Sequence, residues 1–90
     1  MIQVLFIAHM PNAGIGSDDP DAWSRWLGFE EVSRSIAANH AKTQVLSKNV
    51  FLHPQSGSDV WLAQLVTAIQ ASKFSHSTFF ISGELATLTK

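Results

Sequence analysis

The sequence predicts an α+β fold, a two-layer sandwich in which two helices cover a four-stranded sheet in the order β-α-β-β-α-β. Three observations carry this reading. Short apolar runs alternate with two longer stretches whose apolar residues recur at helical spacing. A polar step, Ser47-Lys48-Asn49, splits the middle apolar run Thr43–His53 into two strand-sized pieces. Ninety residues also suit one helix layer on one sheet better than helices on both faces of a parallel sheet.

The first element is Ile2–His9, IQVLFIAH, rich in β-branched and aromatic residues and stopped by Met10-Pro11-Asn12. Its nearly unbroken apolar character predicts a strand buried on both faces. Residues 11 to 19 form a loop by composition, with Gly14 and Gly16 inside it. Asp18-Asp19-Pro20 then opens a helix, with an Asp cap, Pro in the first helical position and Asp21 in the first turn. Trp23, Trp26, Phe29, Val32, Ser33, Ile36 and Ala37 make its apolar side, and Gly28 is expected to break it before Phe29–His40.

Val50–Pro54 follows as the better defined of the two middle strands. Ser58 reads as a helix cap with Asp59 in the first turn, and Trp61, Leu62, Leu65, Val66 and Ile69 form the second stripe, ending near Ser72-Lys73. Ser75 to Ile81, SHSTFFI, is the last strand. Gly83 is expected to bulge or turn it before Leu85–Leu88, making the tail a long strand or a closing hairpin.

The chain is 46% hydrophobic and 14% charged, has a net charge of −1 and contains no cysteine. Disorder is excluded by the apolar content, and a disulfide scaffold or thiolate metal site by the lack of Cys. Six Lys and Arg against seven Asp and Glu argue against nucleic acid as a partner. The apolar start has no basic leader, and no run approaches the roughly 18 apolar residues of a membrane span. A cytoplasmic protein, a single domain over residues 1–90, is the expectation, with no membrane partner and no cofactor.

Candidate chemistry is sparse. Asn12-Ala-Gly-Ile-Gly-Ser17 lies between a strand and a helix, as anion-binding loops do, but matches no phosphate motif and runs into Asp18, Asp19 and Asp21. Those carboxylates have a structural role as cap and first-turn residues, and no paired-His metal motif occurs, so no metal site is assigned. His9 and His53 each end a strand and could act as bases near neutral pH. Among Trp23, Trp26 and Trp61, the stripe positions of Trp26 and Trp61 predict core packing. Trp23 lies at the stripe edge, where an aromatic is available for a ligand or partner. The candidate ligand-binding set is therefore His9, Asn12, Trp23, His53 and Trp61.

Topology decides whether that set converges. In the alternative order, a small βαβαβ α/β fold with a parallel sheet, His9 and His53 share one sheet edge beside two helix N-termini. In the βαββαβ order, which is the ferredoxin-like one, the first and third strands are antiparallel, and the two histidines lie at opposite ends. Length, element order and a tendency to pair resemble the dimeric α+β barrel proteins, which include small monooxygenases and isomerases. That resemblance implies an enzyme or small-molecule-binding protein with a Trp/His-lined pocket, and it carries over no catalytic residue.

The leading expectation is association, as a homodimer or protein-interaction module without evident catalytic machinery. The strands Val4–Ile7, Val50–Leu52 and Phe79–Ile81 offer apolar residues to both sheet faces, so the face without helices needs a cover. Phe6, Phe51, Phe79 and Phe80 are the candidate interface residues, and a second copy of the chain or another protein is the expected partner.

Overall fold

A computed structural model describes residues 2–11 and 21–82 of the chain. The elements are β1 (Ile2–Ala8), α1 (Ala22–Asn39), β2 (Gln44–Ser47), β3 (Val50–Pro54), α2 (Ser58–Ala71) and β4 (His76–Ser82). The four strands form one antiparallel sheet in the order β2-β3-β1-β4. Ser47-Lys48-Asn49 does act as the turn, with Lys48 and Asn49 between the two strands. The β2–β3 register shifts between Val45 and Ser47, as expected where a turn lacks the residues for a regular hairpin.

Both helices pack on one face of the sheet. Val4, Phe6 and Ala8 of β1 and Phe51 of β3 form a single core with Trp26, Phe29 and Ile36 of α1 and Trp61, Leu65 and Ile69 of α2. The Trp26 indole sits edge-on to Phe74 at 5.6 Å and tilts against Phe29 at 5.3 Å. Its N–H donates to the Glu30 carboxylate at 3.0 Å, so the ring is buried without an orphaned donor.

The end of α2 is locked by backbone geometry. Lys73 takes a left-handed conformation, φ 65°, its N–H donates to the Gln70 carbonyl, and the Phe74 N–H reaches back to that of Ile69. This is a Schellman ending, which satisfies helix carbonyls and turns Phe74 back onto the core. Arg25 ties α1 to the same place, donating to the Ser72 carbonyl at 3.1 Å with its guanidinium 5.4 Å from the Phe74 ring centre.

Several sequence expectations differ from the structure. β1 alternates, with Val4, Phe6 and Ala8 buried and Leu5 and Ile7 half-buried, so it is covered fully on the helix side only. α1 runs unbroken through Gly28; Trp26 and Phe29, buried on either side of it, hold the helix against the core more strongly than one glycine weakens it. Asp21 is the N-cap rather than a first-turn residue, and it makes no side-chain capping bond. Val32 is exposed because the buried line runs through Ala22, Trp26, Phe29, Ser33 and Ile36. Gly57, at φ 78°, caps α2, whereas the Ser58 hydroxyl donates back to the Gln55 carbonyl at 2.8 Å. The expectations for residues 12–20 and 83–90 lie outside the described residues.

Candidate functional site

The candidate ligand-binding residues do not form one site. His9 and His53 lie at opposite ends of the antiparallel β1–β3 pair, where Val4 is opposite His53 and Ile7 opposite Val50. The convergence that a parallel sheet would have produced is absent. Trp23 is 38% exposed on α1. Asn12 lies outside the described residues.

At one end, His9 is held by β4. Its Nδ1 is 2.8 Å from the Ser75 hydroxyl and its Nε2 2.8 Å from the Ser77 hydroxyl. A neutral imidazole has one donor and one acceptor nitrogen, so one serine accepts from the ring while the other donates to it. The His9 backbone N–H also donates to the Ser75 carbonyl at 3.0 Å. His9 thus fastens the end of β1 to β4, and the three side chains sit at the surface. Neither serine stands out locally in the sequence; the pairing depends on register between strands 66 and 68 residues apart.

At the other end, His53 and Trp61 are stacked with ring centres 5.0 Å apart. His53 Nδ1 donates to the Pro54 carbonyl at 2.6 Å, which fixes its tautomer and leaves Nε2 as the acceptor. His40, at the end of α1, meets His53 edge-on at 6.2 Å and donates from Nε2 to Gln64 Oε1 at 2.9 Å. Trp61 Nε1 is buried without a partner, and so is Thr43 Oγ1, on the residue just before β2. Trp61 and His53 are themselves almost wholly buried. Among the described residues no three His, Asp or Glu side chains come together as a metal site.

The apolar surface has a clearer pattern. Phe6 and Phe51, candidates for an interface, are buried in the core beneath the helices and have no surface to offer a partner. Phe79 and Phe80 are 50% and 64% exposed. On the sheet face away from the helices, Leu5, Ile7 and Val50 are half-buried and Leu52 is buried. The sheet therefore does not expose its whole second face; its exposed apolar residues lie mainly on the two edge strands, Val45 and Leu46 on β2 and the larger Phe79 and Phe80 on β4.

The two edges of the sheet differ. β2 is four residues long, carries a register shift and is followed by Lys48, three features that discourage pairing with another strand. β4 is seven residues long, pairs with β1 without a shift and contains no Asp, Glu, Lys, Arg or Pro. A second apolar surface is the open groove of about 880 Å³ between α1 and α2, lined by Val32, Ile36, Val60, Ala63 and Ala68 among others.

No family model matches the chain, and no curated protein or solved structure is significantly similar to it. The structure defines a small α+β protein with a four-stranded antiparallel sheet and two helices. Among the described residues no helix is long and apolar enough to cross a membrane.

Proposed function

We propose that the protein acts by association, as a homodimer-forming or protein-binding module of ferredoxin-like fold working in the cytoplasm. The order β2-β3-β1-β4, with both helices packed on one face, supports the fold assignment. Cysteine-free composition suits a reducing compartment. The observation that carries the functional reading is the exposed Phe79–Phe80 pair on an uncharged outer strand. Burying the exposed halves of four such rings in a two-fold dimer contributes roughly 4–6 kcal/mol before the costs of association. A micromolar dimer requires about 8 kcal/mol net, so the rings supply only part of it and the paired strand edge must supply the rest. Light scattering over a dilution series tests the reading: a mass that falls from dimer toward monomer supports it, and a monomer throughout contradicts it.

A second reading, binding of a small molecule or a small enzyme activity, is favoured by Trp61 Nε1 and Thr43 Oγ1, both buried without partners, the first on the ring stacked against His53. Such atoms are costly unless water or a ligand satisfies them. Native mass spectrometry of the purified protein tests it. A bound species lost on His53→Ala supports this reading, and a bare chain mass contradicts it.

A further inference from the structure

The backbone register shows which groups of β4 face away from β1. His9 N–H donates to the Ser75 carbonyl, and these two residues are opposite each other in the β1–β4 register. In an antiparallel pair, directly hydrogen-bonded residues alternate with residues whose N–H and C=O point outward. Ser77, Phe79 and Ile81 therefore turn their backbone groups toward β1, while those of His76, Thr78, Phe80 and Ser82 point away from it, along an edge where no other described strand pairs. The Cα–Cβ directions alternate as well. Phe80, opposite Val4, lies on the helix side of the sheet, and Phe79, opposite Leu5, on the other side.

We propose that the occupant of this edge is β4 of a second copy, paired antiparallel about a two-fold axis at Phe80. This rests on the association reading and specifies its geometry. Phe80 then faces Phe80 of the second copy, while Thr78 and Ser82 exchange hydrogen bonds with Ser82 and Thr78 of that copy. These three outward-facing pairs supply about six backbone hydrogen bonds. Between them Phe79 lies against Ile81 on the opposite sheet face, so both exposed rings gain an apolar cross-strand neighbour.

Shifting the axis to Thr78 would set Phe79 against Ser77 and Phe80 against His76, which buries less apolar surface. Self-pairing meets no charge repulsion along β4, since the strand carries no Asp, Glu, Lys or Arg. A closed two-fold pair also consumes the edge completely, which an open head-to-tail contact would not. The result is a continuous eight-stranded sheet with β2 at both outer edges.

The absence of cysteine makes the geometry directly readable. Thr78→Cys and Ser82→Cys chains are mixed at a concentration where the unmodified protein is dimeric, and then mildly oxidised. Hydrogen-bonded antiparallel partners have Cα atoms about 5.5 Å apart, within disulfide reach. The expected product is the mixed Thr78→Cys/Ser82→Cys disulfide dimer, with little product from Thr78→Cys alone or from Thr78→Cys mixed with Ser47→Cys on β2. A dimer by light scattering that gives no mixed disulfide, or that links Thr78→Cys to itself, overturns the Phe80-centred pairing and leaves association standing. A chain that is monomeric at every concentration overturns both.

Discussion

Phe79 and Phe80 are adjacent in sequence yet stand on opposite faces of β4, one opposite Leu5 and the other opposite Val4. Half or more of each ring is exposed. Apolar groups on both sides of one edge strand cannot be covered by the helix layer alone, because that layer lies on one face. Their burial requires something alongside the strand, which is why the edge governs the functional reading.

Phe80→Lys should weaken self-association at least tenfold. The charge would have to be desolvated in the paired edge, and a lysine on an edge strand is a common device against such pairing. Phe80 is exposed in the single chain, so the fold should survive, with an unchanged far-ultraviolet circular dichroism spectrum. Sedimentation velocity measures the shift, and an unchanged dimer would remove β4 from the interface.

Gly28→Ala should stabilise the protein by about 1 kcal/mol. Gly28 is inside the continuous helix α1, and an added Cβ there meets nothing within 4 Å. Urea unfolding checks this. A loss of stability would mean that the helix has a real discontinuity at Gly28.

Lys73→Gly should also stabilise, by about 1 kcal/mol, because the left-handed conformation at φ 65° costs a side chain that glycine lacks. The Schellman bonds to Ile69 and Gln70 are made by backbone groups and survive the change. Thermal unfolding reads the result. A neutral or destabilising outcome would indicate that the Lys73 side chain contributes more than its backbone costs.

Thr43→Val keeps the β-branched shape and removes a hydroxyl that is buried without a partner. The structure predicts a gain of about 1 kcal/mol in unfolding free energy. A loss of similar size would instead show that the hydroxyl holds water or a ligand, which would strengthen the small-molecule reading.

Much of the fold was legible locally. Ser47-Lys48-Asn49 marked the turn that makes the sheet four-stranded, and the spacing of Trp61, Leu65 and Ile69 marked the buried side of α2. Misreadings arose where tertiary packing outweighed local preference. Gly28 is a weak helix former, but Trp26 and Phe29 are both anchored in the core. Val32 fits a broad helical stripe, yet neighbouring Ser33 takes the buried position, its hydroxyl donating to the Glu30 carbonyl at 3.0 Å.

The site residues were harder to read for a different reason. Trp61 could be placed on the buried stripe of its helix, but not over His53. Likewise, nothing near His9 announced Ser75 and Ser77, since strand register brings them together. Composition implied that the apolar excess needed covering. Only the burial of Leu52 beside the exposure of Val45, Leu46, Phe79 and Phe80 placed that need at the edges rather than across the sheet face.

The central claim is that the chain works by pairing through β4, and the molar mass of the unmodified protein tests it most directly. Size-exclusion chromatography with light scattering, run from tens of micromolar down to sub-micromolar concentration, should show a mass near twice the 9.9 kDa chain that falls toward 9.9 kDa on dilution. A single 9.9 kDa species at every concentration would contradict the account.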